Sequence, residues 1–205
     1  MIDVLRSFTV SAYALAGGAR ECRLVPTTAE ARALAARVPG SVLCVEENSL
    51  PVAGIAISNS PTMIQATDLR DRVLIQRSSA GTPVVAAATG TDIFAASLVV
   101  AGATVQACLL RRPDVLTLVA SGDFPEDHAC ARYMEALARG DEPQLDAWLE
   151  PLKATERYRR VMSGTWPGFP PGDLELALTP DRFDFAMPVT REPGYDRVTA
   201  SFDHP

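Results

Sequence analysis

The stretch CRLVPTTAEARALAARVPGSVLCV, residues 22–45, decides the fold. Cys22 to Val25 is a short β-type run. Thr27 stands three residues before Glu30, the spacing of a capping box, in which the threonine hydroxyl and the glutamate carboxylate satisfy each other's free backbone amides. The alanine-rich helical pattern that follows runs to about Val38, and Ser41 to Val45 reads as the next strand. A strand, a helix and a second strand make a βαβ unit, with a right-handed crossover and parallel strands.

The same alternation extends in both directions. Upstream, Ile2 to Leu5 is an apolar run, and Phe8 to Ala16 reads as a helix closed by Gly17-Gly18. Downstream comes an irregular stretch to Pro61 and a short helical turn. Arg72 to Gln76 and Asp92 to Ala95 read as strands framing a helix that begins near Gly81. Ser97 to Leu110 is helical, Val115 to Ala120 a strand, and Glu126 to Arg139 a helix. The pattern implies an α/β fold whose mostly parallel sheet is covered on both faces.

From Gly140 the texture changes. Asp141 to Glu156 is polar and helical, and Ser163 to Gly172 is a loop rich in proline and glycine. Leu174 to Leu178 and Phe183 to Val189 alternate in strand fashion about a Thr179-Pro180-Asp181 turn. The segment 141–205 therefore reads as a helical stretch plus antiparallel strands added to the same sheet, within a single domain spanning residues 1–205.

Composition narrows the chemistry by exclusion. Of 205 residues, 47% are hydrophobic and 21% charged, enough apolar surface for a sizeable core. The net charge of −6 argues against a nucleic-acid partner, which needs a basic face. No apolar run reaches the ~18–20 residues of a membrane span, and the start shows no secretory signal, so the expected location is cytoplasmic. Cys22, Cys44, Cys108 and Cys130 are isolated, without the spacing of a zinc site. The positions six residues after them are Thr28, Leu50, Asp114 and Ala136, so none has the arginine that a cysteine-dependent phosphatase places there. Lys153 is the only lysine, which excludes a Walker A loop. Arginine is left to meet any anion.

In such sheets ligands bind beyond the carboxyl ends of strands. Those ends carry Asp3 to Ser7, Glu46-Glu47-Asn48-Ser49, Ser58-Asn59-Ser60-Pro61, Arg77-Ser78-Ser79-Ala80-Gly81-Thr82, and Ser121-Gly122-Asp123 with Glu126-Asp127. Each has a plainer reading. Asp3 sits almost inside an apolar strand and needs a partner, either Arg6 or a cation. Glu46 and Glu47 suit a solvated loop. Asn59-Ser60-Pro61 is a good helix start, and Glu126 and Asp127 are ordinary first-turn acids. His128 follows them without a serine elbow or third partner.

In order and approximate spacing, these segments resemble the 2-phosphosulfolactate phosphatase family. The resemblance rests on Asp-Val-Leu-Arg at 3–6, Glu46, Asn59-Ser60-Pro61, Ser78 to Thr82, Glu126-Asp127 with Cys130-Ala131, and the tail from Leu174 through Phe183. It implies a three-layer α/β/α sandwich and a magnesium-dependent hydrolase that converts 2-phosphosulfolactate to sulfolactate and phosphate, a step toward coenzyme M. Asp3, Glu46 and Asp127 would hold Mg²⁺, with Arg6 beside them as a fourth catalytic group. Asn59, Ser60, Arg77, Ser78, Ser79, Gly81 and Thr82 would cradle the substrate, a small anion. A homodimer fits the same picture. The family has an arginine and glycines where this chain has Glu47-Asn48-Ser49, and it carries further residues before Asp-Val-Leu-Arg, so the first strand is expected to be truncated. These departures motivate the alternative of a catalytically weak paralogue that binds a small anionic metabolite.

Overall fold

The computed structural model describes residues 1–202. Its βαβ unit is formed by β1 (Glu21–Leu24), α2 (Thr28–Arg37) and β2 (Val42–Glu47), preceded by α1 (Ser7–Ala16). The capping box is present: Thr27 accepts the Glu30 amide, and the Glu30 carboxylate accepts the Thr27 amide. After β2 come β3 (Leu50–Pro51), α3 (Pro61–Gln65), β4 (Val73–Arg77), α4 (Gly81–Ala87) and β5 (Ile93–Ala95). A 3₁₀ turn then leads into α5 (Ala101–Leu110) and α6 (Pro125–Arg139). The remainder is α7 (Leu145–Lys153), α8 (Glu156–Met162), α9 (Gly172–Leu178), β6 (Met187–Glu192) and β7 (Tyr195–Val198).

The seven strands form one mixed sheet in the order β3-β2-β4-β1-β7-β6-β5. The core is parallel, with β4 between β2 and β1. The C-terminal hairpin β6–β7 adds antiparallel to β1 and carries β5 on its far side. Alternation along the core strands sends their side chains to two helical layers. Cys22, Leu24, Cys44 and Leu74 pack with α1, whereas Val25, Val45, Val73 and Ile75 pack with Ala31 and Leu34 of α2. A further core joins Ile2 and Val4 to α5, α6 and α7.

Four strand expectations need correction. Residues 174–178 are helical: Leu-Glu-Leu-Ala-Leu is too short to separate a period of 2 from one of 3.6. The preceding Pro170-Pro171-Gly172-Asp173 is a helix start, and Asp173, Leu174 and Ala177 are the buried face. The strand expected over 183–189 begins only at Met187, because Phe183 and Phe185 turn into the core. Its hairpin partner β7 was not anticipated. Among the described residues, residues 115–120 make only one bridge, at Ala120, and Val115 is 78% exposed, with no ladder partner over this run. Ile2 bridges Ala96 and Ala120 in parallel, but the chain turns into α1 before a strand develops.

This last placement bears on the site. Residues 1–3 run parallel with β5, and the intervening antiparallel pairs make β5 opposite in direction to β1 and β4. Asp3 therefore does not share a strand direction with Glu46 or Ser78. It reaches the end of β4 because α1 starts there.

Candidate active site

Asp3 is buried, and its Oδ1 accepts the Ser7 amide at 3.0 Å. A Cβ placed on Gly81 would lie 2.5 Å from Asp3 Oδ2, 2.6 Å from Ser7 Cβ and 2.8 Å from Ser7 Oγ. Only glycine lets the turn between β4 and α4 press its backbone so closely against this carboxyl. The space a Cβ at Gly81 would need is filled by Asp3 and Ser7. Burial pushes the Asp3 carboxyl well above the usual range, and repulsion from Asp127, Glu126 and Glu46 adds to it, against the Ser7 amide.

The other expected acids are positioned differently. Glu46, at the end of β2, is buried and accepts the Ser79 and Ser49 amides and the Ser79 hydroxyl. Asp127, in the first turn of α6, accepts the Val4 amide at 2.8 Å on Oδ1, and the Ser121 hydroxyl at 2.7 Å on Oδ2. It clamps residue 4 to residue 121, just after the parallel bridge between Ile2 and Ala120. Burial raises its carboxyl, and these donors oppose the rise. Its neighbour Glu126 pairs with Arg157 through Oε1, while Oε2 is buried with no partner among the described residues. Among those residues, no three His, Cys, Asp or Glu side chains are gathered as a metal-holding group.

Arg6 is almost completely buried and donates from Nη1 to Asp173 Oδ2 at 2.8 Å and to the Gly168 carbonyl at 2.6 Å. Its guanidinium lies 3.8 Å over the Phe169 ring. Burial lowers its pKa and Asp173 counters that. Asp173 Oδ1 accepts the Ser60 hydroxyl at 2.6 Å and the Thr62 amide at 3.0 Å. Ser60 also caps α3 through the Met63 amide, so the helix-start reading of Asn59-Ser60-Pro61 holds. Asn59, at φ 45°, accepts Gln76 Nε2 at 2.8 Å. That same nitrogen donates to the Ser7 carbonyl at 2.7 Å, and the Gln76 oxygen takes the Ser11 hydroxyl.

Arg77 is turned toward the rim. It donates to the Glu46 carbonyl, the Ser79 hydroxyl and the Pro26 carbonyl. Ser78 and Thr82 bond each other reciprocally, the Thr82 amide to Ser78 Oγ at 3.0 Å and the Ser78 amide to Thr82 Oγ1 at 3.1 Å. Ser79 is exposed. Among the described residues, the His128 ring bonds the exposed Asp123 at 3.0 Å.

The fold thus joins Asp3 to the Gly81 turn, Glu46 to Ser79, and Arg6 to Ser60. Asp173 makes the Arg6–Ser60 joint, and Gln76 ties Asn59 to the Ser7 carbonyl at the start of α1; neither was among the expected site residues. A polar residue directly after the apolar run Val73 to Ile75 was the available sign for Gln76, which is still inside β4 and fully buried. For Asp173 it was the helix start at Pro170-Pro171. A cavity of about 600 Å³ beside Met1, Phe94, Cys108 and Leu116 includes none of the expected site residues. Its lining is mainly apolar and offers no carboxylate cluster.

A family model described as 2-phosphosulpholactate phosphatase matches residues 1–157. A probable 2-phosphosulfolactate phosphatase of Bacillus subtilis is 32% identical over 208 residues, covering 97% of this chain and 90% of that protein. Proteins with the same description from Thermoplasma acidophilum and Carboxydothermus hydrogenoformans are 28% and 32% identical. They cover 88% and 67% of this chain, and 80% and 58% of their own lengths.

Proposed function

This chain belongs to the 2-phosphosulpholactate phosphatase family, and from that premise we propose that it is a phosphoric monoester hydrolase releasing phosphate from 2-phosphosulfolactate or a related phosphorylated 2-hydroxy acid. The observation that carries the reading is the buried Asp3 carboxyl against the bare Gly81 turn, with acidic groups opposing its ionisation. A dication relieves that repulsion, and hard carboxylate oxygens suit Mg²⁺. Asp3 and Glu46 would hold it. Asp127 contributes by fixing Val4, and with it the backbone beside Asp3. The ion would supply Lewis-acid polarisation of the phosphoryl group and a more acidic water.

The chain's own residues do the rest. Arg6 places a fixed positive charge in a dry setting, where its attraction for an oxyanion is strong. Trp166 donates to the Ser49 carbonyl at 3.1 Å, and Phe169 backs Arg6, so the 163–171 loop shields this charge from water. Gly81 keeps its turn close to Asp3, with Ser78 and Thr82 bracing the turn from within.

One observation favours the weak-paralogue alternative. Asn48 and Ser49 have φ of 53° and 62°, a region that suits glycine, and the Ser49 amide closes on Glu46. Both Glu46 oxygens then already have protein donors. Phosphate release from a panel of phosphorylated 2-hydroxy acids separates the readings. The expected result is release from 2-phosphosulfolactate with Mg²⁺ and its loss with EDTA. Silence across the panel would favour the paralogue, and undiminished release in EDTA would remove the metal from the proposal.

A further inference from the structure

We infer that Asp173 is a positioning residue, which orients the Arg6 guanidinium for recognition of an oxyanion-bearing organic phosphate. The inference rests on the phosphatase reading above. Asp173 lies beyond residue 157, where the family match ends, on the helix that replaces an expected strand.

The geometry is convergent. One carboxylate joins Arg6, Ser60 and Thr62, three groups from two segments that are 54 positions or more apart in the chain. Oδ2 takes Arg6 Nη1, while Oδ1 takes the Ser60 hydroxyl and the Thr62 amide. Both hydrogens of Arg6 Nη1 are then directed, one to Asp173 and one to the Gly168 carbonyl. A guanidinium has five N–H donors in one plane. With Nη1 engaged and the guanidinium carbon seated 3.8 Å over the Phe169 ring, the group cannot turn freely, and its Nε and Nη2 donors are held in a fixed direction, as bidentate capture of an oxyanion requires.

Stability alone is a poor reason for this arrangement. The side chains of Arg6 and Asp173 are only 2% and 0% exposed, and desolvating such a pair commonly cancels its attraction. An arginine held dry and pointed gains instead in its grip on a third group. A second observation also points to a ligand. Ser58 Oγ is buried without a partner among the described residues, and it lies 2.8 Å from where a Cβ on Gly168 would be. An unanswered hydroxyl therefore lies beside the same Gly168 that accepts from Arg6.

The test compares Asp173→Asn, Asp173→Glu and Leu174→Ala in the full chain. Leu174 is buried with Val161 and Phe169, so truncating it loosens α9 without touching the carboxylate. Three quantities are read: KM and kcat on the phosphorylated substrate, binding of inorganic phosphate by calorimetry, and melting temperature. Asp173→Asn is expected to raise KM and the phosphate Kd about tenfold or more, with a smaller change in kcat, because it weakens ground-state and transition-state binding alike. Asp173→Glu should recover part of the binding, and Leu174→Ala should lower the melting temperature while leaving the phosphate Kd within twofold. Should Asp173→Asn not fold, Asp173→Glu carries the comparison through its displaced carboxylate. The inference is overturned if the Asp173 variants bind phosphate like the parent, if Leu174→Ala reproduces their loss, or if the parent binds no phosphate. A parent that binds phosphate but hydrolyses nothing would remove the proposed reaction while leaving the Asp173 comparison to be decided by the binding arm.

Discussion

Asp3 and Asp173 are both buried carboxyls, yet their surroundings differ. Asp173 is met by a guanidinium, a hydroxyl and an amide. Asp3 has the Ser7 amide and otherwise faces Asp127, Glu126 and Glu46 at longer range. The first region completes its own electrostatics and can serve as scaffold. The second is left short of positive charge, as a site is when its counterion arrives with the substrate or metal. Perturbed buried groups of this kind gather where chemistry is done.

The sharpest way to break the contrast is Asp3→Asn. Activity should fall on the order of 10³-fold, since several kcal/mol of transition-state stabilisation depend on this group. Stability should move the other way. A carboxyl whose folded pKa is raised keeps its proton longer in the native state, so its presence erodes stability as pH climbs above the ordinary range near 3.8 toward the folded value. In EDTA the asparagine variant should melt higher than the parent at pH 8 and level with it near pH 3. Equal melting at both pH values would show that Asp3 bears no such burden.

The scaffold side should respond in the opposite sense. Arg6→Leu leaves Asp173 buried without its cation, at a cost of about 3–5 kcal/mol. Since a domain of this size loses ~2–4 °C per kcal/mol, thermal melting should drop by about 10 °C. A drop of under ~2 °C would show that water reaches Asp173 and that the two regions are alike. The smallest effect concerns the boundary between them. Gly81→Ala must displace Asp3 Oδ2 and Ser7, and overpacking of this kind costs about 1–3 kcal/mol. Activity should fall with it because Asp3 moves, and an alanine variant with the parent's melting point and rate would mean that the turn has room to give.

The same contrast separates what could be read from sequence from what could not. The parallel core was legible because its signals are local: the Thr27–Glu30 box, the break at Pro39-Gly40, and the apolar runs of β1, β2 and β4. Asp3 was legible for a similar reason, a charge standing in an apolar run. The antiparallel wing was less so: β7 is set on β6 by the tight Pro193-Gly194 turn, a local signal, but its docking against β1 comes from far back in the chain. Arg6 was legible as a catalytic group or as a partner for the nearby Asp3, and the carboxylate that actually holds it is Asp173. Its partner lies beyond a proline-glycine loop, on a helix whose five-residue apolar pattern suits a strand equally well. Asp127 and Glu126 were indistinguishable as first-turn acids. Only the position of Val4 decides that Asp127 is the clamp.

The 167 positions separating Arg6 from Asp173 also set a schedule. At synthesis rates of ~5–20 residues per second, the ribosome makes the carboxylate roughly 10–30 s after the arginine. Throughout that interval the growing chain can assemble its βαβ unit from neighbouring residues, but Arg6 lacks the carboxylate that hydrogen-bonds it in the folded protein. The pairing of the arginine is therefore a late event in the birth of the protein. A nascent chain stopped at residue 157 would hold every residue of the family match while still waiting for the group that seats Arg6.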